Sequence, residues 1–277
     1  MSASPNILWL MSDQHAAHAL RCYGNPDVHT PHLDALAADG IRFDRAYCNN
    51  PICGPSRACF ITGLYVHTHG ITGNNIQDYT RSMPLNVAEH FRNNGYHTAM
   101  IGKGHLPKAW LDRGFEHLRL VDMADADPDD PLSVHYFAHL VEHGLADTFD
   151  LGTLYPPHPG AGMAGFISDT PFAHSSERWT GDESLRFLQE HRDPERPFFL
   201  KVSFQRPHDP YSPSPEQAGL YDPSSLTLPK SAEEFFEKHF EGKPAYQRDY
   251  AGQEPGCGYP YRPPHPADLR RQLAYYY

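Results

Sequence analysis

Residues 6–11 read NILWLM and residues 197–204 read PFFLKVSF. Each is a short, nearly continuous apolar run, the pattern of a strand buried on both faces of a sheet. Strands of that kind need cover on both sides, and the segments between them read as helices. TPHLDALAADG (30–40) predicts one: Thr30 suits the N-cap, Pro31 suits the first turn, Leu33, Leu36 and Ala37 make a stripe, and Gly40 ends it. IRFDRAY (41–47) alternates like a strand. SRACFITGLY (56–65) reads as a short helix opening after Pro55, and PLNVAEHFRNNG (84–95) as another, ended by Asn94-Gly95. YHTAMIG (96–102) follows as a strand, and GDESLRFLQEHR (181–192) as a helix. This alternation predicts an α/β fold with a central, largely parallel sheet flanked by helices.

The pattern fails between about 120 and 178. DMADADPDDP is an acidic loop and YPPHPGAGMAG is rich in proline and glycine, so this stretch reads as an irregular insertion. The segment 209–268 is also proline-rich, with one helix expected at 231–240. No internal repeat is evident. The 277 residues suffice for a sizeable core.

Charge narrows the partners. With 23 basic against 34 acidic residues the formal net charge is −11, which argues against nucleic acid or an anionic membrane surface. A local cationic pocket for a small anion is compatible with that balance. No run reaches the roughly 18 apolar residues of a membrane span. The N-terminal MSASPNILWLMSDQH lacks a basic n-region, so a cytoplasmic location is expected. The five cysteines, at 22, 48, 53, 59 and 257, are irregularly spaced and are expected to be reduced. The spacing of Cys48, Cys53 and Cys59 does not suit a zinc knuckle.

In open α/β sheets, ligands bind beyond the carboxyl ends of the strands. The strand ending at Met11 is followed by Ser12-Asp13-Gln14-His15, and the strand at 96–102 by Lys103-Gly104-His105. The strand at 197–204 is followed by Arg206-Pro207-His208-Asp209-Pro210. Cys53 and Arg57 open a helix, whose free N–H groups and dipole favour an anion. Taken singly, Asp13 suits a helix cap, Lys103 a solvated surface, His105 and His208 structural roles, and Cys53 a small core position. Taken together, a carboxylate, a thiol and several cations converging on one edge suggest a metal-assisted site for an oxyanion.

Residues 53–58, CGPSRA, resemble the sulfatase signature Cys-x-Pro-Ser-Arg, the recognition sequence of a modifying enzyme. Other segments resemble the family in the same order. PNILWLMSDQ is similar to its opening strand with a metal-binding carboxylate, and TPHLDALAADGIRFDRAY to the stretch that follows. GLYVHTHGITGNN is similar to the segment after the signature, IGKGHL to a Gly-Lys-x-His motif, and FFLKVSFQRPHDPY to a later Pro-His-x-Pro strand end. The resemblance runs from about residue 5 to 277 and is weakest at 120–178. It points to the branch of the alkaline-phosphatase superfamily holding arylsulfatases, choline-sulfatase-like enzymes and phosphonate monoester hydrolases.

That resemblance implies a sulfuric ester hydrolase in which Cys53 is oxidised to formylglycine by a formylglycine-generating, sulfatase-maturing enzyme. It implies a divalent metal, calcium before manganese or magnesium, and a small-molecule sulfate ester as substrate. Residue 53 would be nucleophile and metal ligand, Asp13 a metal ligand, and Gln14 a ligand where many members carry a second aspartate. Arg57 would hold the nucleophile's hydroxyls. Lys103 would bridge nucleophile and substrate, and His105 would deprotonate the second hydroxyl. His208 would bind the transferred group or assist the leaving group, and Asn74 matches an active-site asparagine of the choline-sulfatase-like and phosphonate-hydrolase branch.

The family's second metal-binding motif, Asp-His-Gly or Asp-Asn-Gly, does not occur in these 277 residues. The chain ends at ADLRRQLAYYY, similar to the helix that precedes that motif's strand. The expectation is therefore residues 1–277 as the N-terminal portion of a catalytic domain, without its C-terminal subdomain, binding metal weakly and turning over little on its own. Two other readings stand beside it: a phosphonate or phosphate ester hydrolase of the same superfamily, and a non-catalytic remnant. A cysteine phosphatase fits poorly, because only three residues separate Cys53 from Arg57.

Overall fold

The computed structural model describes residues 4–74, 85–122, 127, 129–151, 165–237, 241–245 and 265–277. In chain order its principal elements are β1 (Ile7–Ser12), α1 (Pro31–Asp39), α2 (Cys53–Thr62), α3 (Val66–His69), α4 (Val87–Asn93) and β2 (His97–Gly102). There follow α5 (Lys108–Gly114), β3 (His117–Leu120), α6 (His135–Glu142), α7 (Ser176–Arg186), β4 (Phe198–Phe204), α8 (Ser231–Phe236) and α9 (Pro266–Tyr276). The chain divides into two compact units. The first holds residues 1–13, 43–153 and 173–205, and the second holds 14–42, 154–172 and 206–277.

The first unit is built on a four-stranded sheet in the order β1-β4-β2-β3, parallel at every pairing. That is the predicted fold class. Period-two alternation sends the two faces of β2 and β4 to opposite cores. Met100 and Phe199 face a cluster with Ala58 and Ile61 of α2, Ala88 of α4, and Trp110 and Leu111 of α5. Ala99, Ile101, Leu200 and Val202 face the other way, onto Phe187 just beyond α7. A third cluster joins Tyr136 and Leu140 of α6 to Val121, Phe149, Leu151 and Trp179.

Local chemistry explains several boundaries. The Asn86 side chain caps α4 by accepting from the Glu89 N–H at 2.7 Å, and Ser175 caps α7 by accepting from the Arg178 N–H. That cap starts α7 five residues before the helix expected from Gly181 onward, and a π-helical turn at Phe187–His191 carries it to the expected end. β1 differs from its expectation. Ile7 and Trp9 pack on the first cluster, but β1 is an edge strand, and on its other face Leu8 and Leu10 are 51% and 53% exposed. IRFDRAY, expected as a strand, forms none; its Ile41, Phe43 and Tyr47 are exposed. An alternating pattern describes a strand only where a neighbouring strand supplies hydrogen bonds. Within the stretch read as irregular, residues 135–142 form α6.

In the second unit α1 spans the predicted residues, although Leu33 and Leu36 of its stripe are exposed and Thr30 makes no capping bond. α9 packs Leu273 and Ala274 against Leu226. Its Tyr276 hydroxyl donates to the Gln14 carbonyl at 2.6 Å and accepts from the Ala16 N–H at 2.8 Å. Only the first part of the helix expected at 231–240 is seen, as α8; residues 238–240 lie outside the described residues. Among the described residues, no helix is long and apolar enough to cross a membrane. Cys22, Cys48, Cys53 and Cys59 are in no disulfide, and Cys257 lies outside the described residues.

Candidate active site

The carboxyl ends of β1, β2 and β4 bring Asp13, Lys103 and Ser203 together in the first unit. Asp13 follows β1, and its backbone N–H still pairs with the Phe204 carbonyl at 3.2 Å. Lys103 follows β2, and its N–H pairs with the Ser203 carbonyl at 2.8 Å. The turn between β2 and Lys103 requires glycine. Gly102 has φ +102°, and a Cβ there would collide with the Ser203 carbonyl oxygen.

Cys53 is the first residue of α2 and is partly buried. Ile52, at the N-cap, has no side-chain oxygen to offer the helix's orphan N–H groups. Asn74 replaces it from a distance in sequence: its Oδ1 accepts from the Gly54 N–H at 2.8 Å. One turn into the helix, Arg57 is 4% exposed and points its guanidinium at the strand ends. Nη1 donates to the Lys103 carbonyl at 2.9 Å and to Ser203 Oγ at 3.1 Å, and Nη2 donates to Asp13 Oδ2 at 3.0 Å.

Lys103 is 1% exposed, and its ammonium lies 2.7 Å from that same Asp13 Oδ2 and 3.7 Å from Asp122 Oδ2. His105 Nδ1 is 3.1 Å from Asp122 Oδ2. The result is a continuous line of polar contacts, Arg57–Asp13–Lys103–Asp122–His105. Two buried cations answer two carboxylates, the condition under which buried charge is tolerated. A carboxylate oxygen of Asp13 lies within 4.8 Å of Cys53 Sγ.

The first unit thus gathers six of the eight residues singled out in the sequence: Asp13, Cys53, Arg57, Asn74, Lys103 and His105. The other two, Gln14 and His208, belong to the second unit. Gln14 adopts φ 58°, and its carbonyl is held by Tyr276. His208 Nδ1 lies 2.6 Å from the Asp209 carbonyl, between cis peptide bonds at Arg206-Pro207 and Asp209-Pro210. Two residues of the charge network were missed. Ser203 lies inside a strand and carries no motif. Asp122 follows β3, a strand too short and too polar (HLRL) to stand out, and it merges with the acidic run behind it. Its position just past a strand end was the available signal.

The arrangement can hold an anion against two fixed cations, present a nucleophile at a helix N-terminus, and orient a histidine for proton transfer. Asp13 and residue 53 are also donors suited to a cation. A hard divalent ion, however, takes six to eight oxygen ligands, and Asp13 Oδ2 is already shared by Arg57 and Lys103. The first unit's described residues fit part of a metal shell only.

The Sulfatase family description matches residues 5–262. An N-acetylglucosamine-6-O-sulfatase of Bacteroides thetaiotaomicron is 32% identical over 251 residues, covering 88% of this chain and 38% of its own length. An arylsulfatase of Clostridium perfringens is 31% identical, covering 81% of this chain and 48% of its own. The chain therefore spans less than half the length of these curated relatives. Among solved structures, a phosphonate monoester hydrolase from Silicibacter pomeroyi matches with TM-score 0.69 at 25% identity, covering 99% of this chain and 56% of that one. A structure in complex with its substrate D-glucosamine-2-N,6-O-disulfate matches with TM-score 0.59 at 28% identity, covering 88% of this chain and 42% of that one. With its family match spanning nearly the whole chain, and with the Cys53 signature set against a buried cation pair, this protein belongs to the sulfatase family.

Proposed function

We propose that this chain carries the nucleophile-bearing part of a sulfate ester hydrolase, with Cys53 converted to formylglycine by a sulfatase-maturing enzyme. The observation that carries the reading is the convergence of Arg57 and Lys103 on Asp13 beside the helix that Cys53 opens. Formylglycine at position 53 would supply, as its hydrate, one hydroxyl to displace the alcohol from sulfur and a second whose deprotonation would release sulfate and restore the aldehyde.

The chain's own residues divide the remaining work. Lys103 and Arg57 offset negative charge on the sulfate oxygens and on the nucleophile, from fixed positions that need no reorganisation. Asp122 holds Nδ1 of His105 at 3.1 Å, so Nε2 is the atom through which His105 would accept the second hydroxyl's proton. Asn74 fixes the first turn of α2 and with it residue 53. His208 would bind the transferred group or assist the leaving group. Asp13, residue 53 and Gln14 would hold a divalent ion, calcium first, whose shell needs further oxygen donors.

Turnover of an aryl sulfate by the 277-residue chain, co-produced with a maturing enzyme, tests the reading. Slow, calcium-responsive turnover that vanishes in Cys53→Ala is the expected result. Equal turnover in Cys53→Ala would remove residue 53 from the chemistry. Turnover as fast as that of the longer sulfatase relatives would contradict the partial metal shell.

A second reading is favoured by the TM-score of 0.69 to the phosphonate monoester hydrolase. The same nucleophile and cations suit a phosphonate monoester. Relative rates on aryl sulfate and aryl phosphonate monoester separate the two.

A further inference from the structure

Away from the Cys53 network, the first unit holds a group of three histidines: His139 on α6, His143 just beyond that helix, and His174 immediately before the Ser175 cap of α7. We propose that His139, His143 and His174 form a second, separate metal site that takes a zinc-type divalent ion and ties the end of α6 to the start of α7.

The geometry carries the assignment. One ring nitrogen of each histidine lies within 4.8 Å of those of the other two. The ring centroids form a compact triangle, with separations of 4.3, 4.7 and 5.2 Å. His139 Nε2 and His174 Nδ1 are 3.1 Å apart. Zinc–imidazole bonds of about 2.0–2.1 Å at a tetrahedral angle place neighbouring ligand nitrogens roughly 3.3 Å apart. The third ligand is already set in tautomer. His143 Nδ1 donates to the His139 carbonyl at 2.8 Å, which leaves the lone pair on Nε2.

The donor set decides the ion. Three neutral imidazoles suit zinc and its transition-metal neighbours and do not suit calcium or magnesium. His143 is exposed, which leaves a fourth position to water. The site also has a mechanical context. Tyr136, one turn before His139, donates its hydroxyl to the His174 carbonyl at 3.1 Å, and Tyr136 belongs to the cluster with Leu140, Phe149 and Trp179. A bound ion would therefore reinforce an existing junction, and stabilise the folded chain by mass action.

The test uses the full 277-residue chain, without a histidine tag, in a Cys53→Ala background that removes the thiol from the other site. Zinc binding by equilibrium dialysis, and visible absorption of the cobalt-substituted chain, report the site directly. One equivalent of zinc, a raised Tm with zinc, and tetrahedral cobalt bands are expected. His143→Gln, an exposed position that leaves the fold intact, is expected to raise the zinc Kd at least tenfold, and His143→Gln with His174→Gln to abolish binding. No zinc bound by the Cys53→Ala chain would overturn the proposal. So would an unchanged Kd in His143→Gln, which would place the ion among other histidines.

Discussion

Lys103 Nζ lies 2.7 Å from Asp13 Oδ2, and the lysine is 1% exposed. Arg57 Nη2 reaches the same oxygen at 3.0 Å. One carboxylate therefore answers two buried cations drawn from different elements. Removing it takes that carboxylate from Arg57 and leaves Lys103 to Asp122, 3.7 Å away. Asp13→Ala is expected to destabilise the chain by about 3–5 kcal/mol, the usual cost of orphaning a buried charge. Urea unfolding measures it. The double variant Asp13→Asn with Lys103→Met should recover part of the loss, and additive effects would show that the two residues do not interact.

Gly102 allows Lys103 to turn toward Asp13. Its φ of +102° and its approach to the Ser203 carbonyl exclude a side chain. Gly102→Ala is expected to cost at least about 2 kcal/mol, from strain and a displaced β2 terminus. Unchanged stability in urea would show that the turn is not constrained.

Asn74 caps α2 through the Gly54 N–H. Asn74→Ala is expected to cost about 1 kcal/mol. It should also raise hydrogen exchange at the Gly54 amide above that of the last turn of α2. Equal protection in both proteins would argue that another group caps the helix.

Two histidines make the first unit acid-sensitive. Burial, helped by His191 and Arg119, lowers His117 to about 4. Burial and Arg119 lower His135 to about 4, and its Nδ1 accepts from the Leu120 N–H at 3.1 Å, a bond that protonation breaks. Both folded values lie below the ordinary 6.5. Their stabilising effect is therefore complete above about pH 6.5 and is lost as pH falls through about 4. Tm should drop by several degrees across that window. Imidazole NMR titration should place both midpoints near 4, and midpoints near 6.5 would contradict the account.

The sheet was legible because β1 and β4 carry dense apolar runs, and the strand ends marked where Asp13 and Lys103 emerge. Cys53 and Arg57 were marked by a signature of adjacent residues. Asp122 was not legible, since β3 is four residues of mixed polarity and its end dissolves into an acidic stretch. The failed strand at 41–47 shows the opposite limit: alternation was present, but pairing is a long-range property that a local pattern does not contain. Leu8 and Leu10 make the same point, since position in the sheet, not composition, decides whether a strand's second face is covered.

Everything proposed for the Cys53 site depends on residue 53 being a precursor and not a working thiol. The direct measurement is mass spectrometry of the peptide bearing residues 51–60, from chain co-produced with a formylglycine-generating enzyme and compared with Pro55→Ala. The account predicts loss of the thiol's mass in favour of the aldehyde and its hydrate in the native sequence, and far less conversion in the variant. An unmodified Cys53 thiol in the native sequence, under conditions that convert another sulfatase, would contradict it.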